Sequence, residues 1–359
     1  MALRDYVARR LITSFITFLL VVIANFFIFR IMPRDPAALF YSYAQAATAA
    51  GTGLTMEQVN RMAEFMGINK PLHEQFFIYL KNCFTFQAFR IDNEAPVISF
   101  RYQGEPVGRL IAERLPLTVL LLLPAIAISI WVGMRLGAEA AWRRGTKFDI
   151  TLVIISLFFY SMPIFWLGIM LQVIVNPTGW PIVHYISNDW VTKGILSGTG
   201  AELPITQLLT IFSYDPLGAF VDVLSHMLLP VLTLVLYMYG GYFLLMRNTM
   251  LDILTQDYIT TAKAIGHDDG TVLHYHARKN AMLPMITIVV LAFAGIFSGA
   301  VLTETIFSWP GMGGLIYEAI QQGDYPVLET CFFMMALLVV IANLIADIIY
   351  GFLDPRIRY

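Results

Sequence analysis

A chain of 359 residues that is 58% hydrophobic and only 13% charged is not built like a soluble globular protein, and a formal net charge of -2 gives no reason to expect a nucleic-acid partner. The two cysteines, Cys83 and Cys331, stand on separate elements without C-x-x-C spacing, so neither a disulfide nor a metal site is expected. What remains is a membrane protein, and the lack of strict alternation points to helices rather than a barrel as the way to satisfy every backbone group in lipid.

In chain order, windows of the ~20 residues that cross a hydrocarbon core fit at Leu11 to Ile31, Leu115 to Met134, Ile150 to Val175, His226 to Met246, Leu283 to Leu302 and Cys331 to Phe352. They predict an all-α integral membrane protein of about six transmembrane helices. The first window follows Arg4, Arg9 and Arg10 as a secretory signal would. It is too long for one, lacks a small-x-small exit and precedes further spans, so it reads as a retained anchor. Leu-Pro runs at Leu115, Leu229 and Leu283 read as proline in a first helical turn, where the missing N–H costs nothing.

Between the first two spans, residues 32–110 make the longest extramembrane stretch. It opens on "MPRDPAALF", whose prolines end the first helix. Thr55 and Gln58 form a capping-box pair ahead of Val59, Met62, Ala63 and Met66, and Gly67 offers a C-terminal cap. "NKPLHEQFFIYLKNCF" continues as a second helix, so the region is expected to be a small folded cap packed on the core domain, residues 111–359. A further connection between Asn176 and Ser225 is rich in Pro, Gly and Trp.

The short loops fix an orientation. Arg135, Arg143, Arg144 and Lys147 follow the second span, Arg247, Lys263, Arg278 and Lys279 the fourth, and Arg356 and Arg358 the last, whereas Phe307 to Leu328 has no Lys or Arg. Positive-inside bias therefore expects both termini and the 247–282 loop in the cytoplasm and the cap outside, in a multi-pass protein of the cell (inner or plasma) membrane.

Within that loop, "YITTAKAIGHDDGTVLHYHARKNAMLP" reads as helix, turn, helix, with Asp257 near the start and Gly266 at the turn. Small side chains on a short exposed helix let another protein's backbone approach closely, and Tyr258 and Ile265 offer the apolar anchors that interface centres favour. A docking knob is expected. His274 and His276 lack further ligands and make no metal site. On the outer side, Trp309, Pro310, Gly311 and Gly313 in "FSWPGMGGL" form a rigid bend; irregular backbone at membrane depth must be buried or line a cavity, so a gate is a candidate role. Asp347 in the last span is expected near its cytoplasmic end or paired with an arginine.

The docking segment resembles the cytoplasmic "EAA" loop of ABC importer membrane subunits, in the form used by dipeptide and oligopeptide permeases. Tyr258, Thr261, Ala262, Ala264 and Gly266 match, and Leu283 and Pro284 close the motif. Ile265 joins them as an anchor. The acidic residue that names the motif is absent, with Thr260 or Thr261 near its place. "RRLITSFITFLLVVIANFFIFRIMPRDPA", "ETIFSWPGMGGLIYEAIQQGDYPVL" and "ANLIADIIYGFLDPRIRY" are also similar to that family, although "FTFQAFRIDNEAPVISF" replaces its usual Gly-Asp-x-Gly-x-Ser.

The resemblance implies a type I ABC importer permease fold with an extracytoplasmic insertion after the first helix. It implies a translocation path for short peptides, or for oligosaccharides, nickel complexes or another solute. The implied partners are a homologous second permease subunit, one or two ABC ATPase subunits, an extracytoplasmic solute-binding protein and membrane lipid. No G-x-x-x-x-G-K-[ST] loop, Ser/His/Asp set or H-E-x-x-H helix occurs, so no catalytic residue or cofactor is expected in this chain, and ATP and Mg are expected on the ATPase partners. A stand-alone secondary transporter would want several functional intramembrane charges or broken helices at the midplane, and the sequence offers few charges and no evident inverted repeat.

Overall fold

The computed structural model describes residues 3–31, 36–49, 55–92, 94–102, 104–175, 213, 216–296 and 299–353. The turn at residues 32–35, most of the 176–225 connection, Asp354, Arg356 and Arg358 lie outside the described residues. Among the described residues the fold is helical, with one antiparallel bridge between Ile98 and Pro106.

Helix α1 spans Leu3–Ile31. The cap follows as α2 (Pro36–Ala49), α3 (Met56–Met66) and α4 (Leu72–Thr85). The bundle is then built from α5 (Val107–Trp142), α6 (Lys147–Ser161), α7 (Ile164–Val175), α8 (Pro216–Leu254), α9 (Asp257–Ala264), α10 (Arg278–Gly295), α11 (Val301–Ile306), α12 (Met312–Gln322) and α13 (Tyr325–Leu353). Stretches of α1, α5, α8 and α13 are long and apolar enough to cross a membrane, so the chain is an all-α multi-pass membrane protein.

Two of the expected windows are not straight spans. The third is broken into α6 and α7, which bend by 101°. Pro163 is the cause: the residue before a proline is pushed out of the helical region, and Met162 accordingly sits at φ -73°, ψ 137°. The fifth window divides because α10 ends at Gly295 and Leu302 belongs to the separate helix α11.

The Leu-Pro runs do not start helices either. Pro116 and Pro124 lie inside α5, Pro230 inside α8 and Pro284 inside α10. An interior proline costs about 3 kcal/mol. Ahead of Pro116, Val107, Leu110 and Ile111 are buried against Phe40, Val59, Met62 and Met312. Burial contributes roughly 1.5–3 kcal/mol per large aliphatic side chain, enough to carry α5 back through its proline into the cap.

That shared core joins the cap to the bundle. In α3 the capping box forms as read, with the Gln58 N–H donating to Thr55 Oγ1 at 3.3 Å and the Thr55 N–H to Gln58 Oε1 at 2.9 Å. Gly67 closes the helix at φ 66°, and Val59, Met62, Ala63 and Met66 face inward. Polar clamps add register: Ser99 Oγ donates to Asp324 Oδ2 at 2.5 Å, the Arg101 N–H to the same oxygen at 3.1 Å, and Tyr102 bonds to Glu318. At the opposite end, Arg10 pairs with Asp347 at 3.3 Å, which accounts for an acid in the last span.

The centre of the bundle is the crossing of α5 and α8. Gly133 and Gly137, one turn apart, let the two backbones meet: a Cβ on Gly133 would stand 2.8 Å from the Tyr239 carbonyl oxygen, and one on Gly137 would stand 2.6 Å from that of Phe243. Small residues at this spacing are how helices approach closely in lipid, where no hydrophobic force drives them together.

Candidate functional site

Two constructions at opposite ends of this bundle carry the residues singled out by the sequence. At the loop end, α8 stops at Leu254 and the chain restarts as α9 with Asp257 in its first turn, where a negative charge suits the helix dipole. Thr261 Oγ1 donates to the Asp257 carbonyl at 3.0 Å. The turn is made by Gly266 at φ +93°, a conformation that a side chain disfavours. Asp268 then caps the next segment, accepting from the Thr271 N–H at 3.0 Å and the Thr271 hydroxyl at 2.5 Å, and these donors hold its carboxyl below the usual carboxylate range. Helix, turn, helix is therefore the arrangement found, with one refinement: Val272–Ala277 is wound as a π-helix before α10, a rare local form that periodicity does not reveal.

α9 has two faces. Ile259 and Ala262 are buried, packed with Met134, Ala138, Met246, Met250 and Leu273. Tyr258 is 40% exposed and Ile265 72% exposed, and Thr261, Ala264 and Gly266 face outward beside them. Ala262, expected on the docking face, is thus a correction: it lies three residues from Ile259, on the stripe that the helix turns to the bundle. Its small size serves close packing inside. Two contacts seat the helix, Lys263 Nζ over the Trp142 ring at 4.9 Å and Asn280 Nδ2 donating to the Tyr258 hydroxyl at 2.9 Å. α9 is consequently tied to α5 and α10 at once.

At the cap end, residues 299–314 fold into a compact knot. Trp309 is 2% exposed, and its Nε1–H donates to the Leu117 carbonyl of α5 at 3.0 Å. Gly311 and Gly313 are buried as well, with Pro310 half-buried between them and the tryptophan. The organising group is one the sequence reading passed over, Glu304, which is fully buried. Its Oε1 accepts from Thr118 Oγ1 and from the Ala300 N–H, both at 3.1 Å, and its Oε2 accepts from the Gly314 N–H at 3.1 Å. Thr118 in turn accepts from the Met312 N–H at 2.7 Å. An acid two residues past an apolar window, just ahead of a Trp-Pro-Gly bend, was the available signal.

Beneath the knot lies a cavity of about 480 Å³ between α5, α7, α8 and α10. Leu122, Ile126, Leu234, Tyr237, Tyr242 and Leu291 line it together with Gly299 and Ala300 of the knot, and none of the described residues that line it is charged. The bend at residues 309–313 is therefore buried in protein while the start of the same knot borders a cavity. A volume of this size is in the range of small-molecule sites.

Comparison with known proteins agrees with this architecture. Residues 125–359 match the model of the family described as binding-protein-dependent transport system inner membrane component, and residues 3–122 match that of its N-terminal region. The chain is similar to the dipeptide transport system permease protein DppB of Escherichia coli strain K12, 32% identical over 358 residues, and to that of Alkalihalophilus pseudofirmus, 31% over 356 residues. It is 33% identical over 357 residues to the di/tripeptide transport system permease protein DppB of Pseudomonas aeruginosa. Each of these alignments covers 99% of both chains. The chain belongs to the family of binding-protein-dependent transport system inner membrane components and is a membrane permease of the ABC transporter class.

Proposed function

We propose that this permease forms part of the translocation path of an importer for short peptides, that an extracytoplasmic solute-binding protein delivers the cargo, and that ATPase subunits drive transport by gripping α9. In this reading the α9 end is cytoplasmic and the cap faces outward. A homologous second permease completes the path, and ATP and Mg belong to the ATPase partners, this chain having no ATP site of its own. The observation that carries the coupling role is the division of α9 into a buried stripe, Ile259 and Ala262, and an outward face with Ile265 72% exposed. An aliphatic side chain that open to water on a short, doubly anchored helix fits the centre of a protein interface. The peptide assignment draws on the printed names of the relatives, which are dipeptide and di/tripeptide permeases.

The test is to purify the chain from its native host in mild detergent and identify by mass spectrometry what accompanies it, with crosslinking from a cysteine at Ala264. The expected result is an ATPase subunit crosslinked to that position, a second permease, and loss of the ATPase when Ile265 is replaced by Asp. Recovery of the chain alone, or an ATPase that stays bound to the Ile265→Asp variant, would overturn the coupling assignment.

A further inference from the structure

The knot at the cap end does more than bury a bend. It is fastened to two different walls of the cavity. On the α5 side, Thr118 Oγ1 bonds to Glu304 and the Leu117 carbonyl accepts from Trp309. On the α7 side, Gln172 Nε2 donates to the Ile306 carbonyl at 3.1 Å, and Phe307 lies where a Cβ on Gly168 would come within 3.2 Å. α7 is the arm beyond the 101° break, so the knot bridges a continuous helix and a bent one. Within the knot, Glu304 ties its first turn to its last, from Ala300, which borders the cavity, to Gly314 at the start of α12.

We propose that Glu304 is the latch of this transporter: its carboxylate holds residues 299–314 as a plug over the cap-side mouth of the cavity, and cargo enters when that plug swings free. Glu304 is a positioning residue, since it acts on the path through Ala300 and Thr118. An ionised carboxylate only accepts, and here three donors converge on its two oxygens. Glutamine at this position keeps the shape but turns one oxygen into an NH2 group facing an N–H donor. The fully bonded closed state loses its advantage, while nothing distant from the plug is altered.

The inference rests on the permease reading, but its test needs neither cargo nor ATPase, so the two fail separately. Ala292 in the cavity wall is replaced by Cys in the full chain, in membranes. Labelling by a membrane-impermeant sulfonated maleimide is timed from each face; the native Cys83 and Cys331 are buried. Glu304→Gln is expected to speed labelling of the Ala292→Cys site from the cap face by about tenfold or more, the population change that follows from losing a hydrogen bond to a charged group. Labelling of an Ala264→Cys control at the loop end should not change. Thr118→Val, which removes one donor and leaves the carboxylate, should act in the same direction and serves if the glutamine variant fails to fold. An unchanged cap-face rate in the variant that folds, or an equal rise at the Ala264→Cys control, would overturn the latch.

Discussion

Arg247 grips Asp149 with two nitrogens, Nε to Oδ1 at 2.6 Å and Nη2 to Oδ2 at 2.8 Å, and so fastens the first turn of α6 to α8 a short way before α9. The Asp149 side chain is 3% exposed and that of Arg247 18%. Asp149 is further held by the Gly145 N–H at 3.0 Å. A bidentate pair in this position fixes both distance and angle between the two helices.

Removing one partner of a buried pair leaves an uncompensated charge, which costs about 3–5 kcal/mol when both are fully buried. With Arg247 partly open to solvent, Asp149→Asn is expected to cost less, about 2–3 kcal/mol. The double variant Asp149→Leu/Arg247→Met should recover most of that loss. Thermal unfolding of the detergent-solubilised permease measures both. Additive losses in the double variant would show that the two residues act independently.

Residues 262 and 264 give a second test, because they lie on opposite sides of α9. Ala262→Trp forces an indole into the cluster around Met246 and Met250, and overpacking of this kind costs typically ~1–3 kcal/mol; its effect should be a lower unfolding temperature. Ala264→Trp should leave that temperature unchanged while blocking whatever docks on the outer face. Equal destabilisation by both would contradict the two-faced arrangement. Gly266→Ala belongs with the first variant, since φ +93° strains any side chain.

Much of this was legible in the sequence for a physical reason: hydropathy, capping and turn residues act locally. The capping box of Thr55 and Gln58, the Gly67 cap, the turn at Gly266 and the pairing of Asp347 with an arginine depend on neighbours in sequence or on the cost of a lone charge in lipid. The features that escaped depend on partners far along the chain. Pro116 reads as a helix start until Phe40 and Met312 are seen to reward the turns before it. Glu304 reads as a loop residue until Thr118, 186 positions away, is seen to donate to it. Ala262 reads as surface until Met250 covers it. Gly133 and Gly137 went unread, because their four-residue spacing marks a close crossing only once the facing helix is known.

The attachment of the cap should depend on pH through Asp324. Burial pushes its carboxyl above the usual carboxylate range, against the pull of Ser99 and the Arg101 N–H. For a group whose pKa is raised on folding, the contribution to stability is fully present below the unfolded value, ~3.9, and is lost as pH rises through the folded value. Stability should therefore fall with rising pH across that window, and Asp324→Asn should flatten the fall. Unfolding midpoints between acid and neutral pH, wild type against variant, decide it. Parallel profiles would remove Asp324 as the source.

The knot predicts a sharp difference between two glycines. A Cβ on Gly311 would fall 2.4 Å from Thr118 Oγ1 and 2.5 Å from Glu304 Oε2, closer than atoms tolerate, and neither neighbour can retreat without giving up a hydrogen bond. Gly295, at the end of α10, has open space where its Cβ would stand. Gly311→Ala is accordingly expected to cost about 1–3 kcal/mol, the usual range for overpacking. Gly295→Ala should be neutral or stabilise by up to about 1 kcal/mol, because alanine favours the helix. Unfolding temperatures of the two variants, read against wild type in the same detergent, give the comparison. A tolerated alanine at 311 would mean that the carboxylate of Glu304 is not held where these contacts place it, and the latch would lose its geometric basis along with the packing argument.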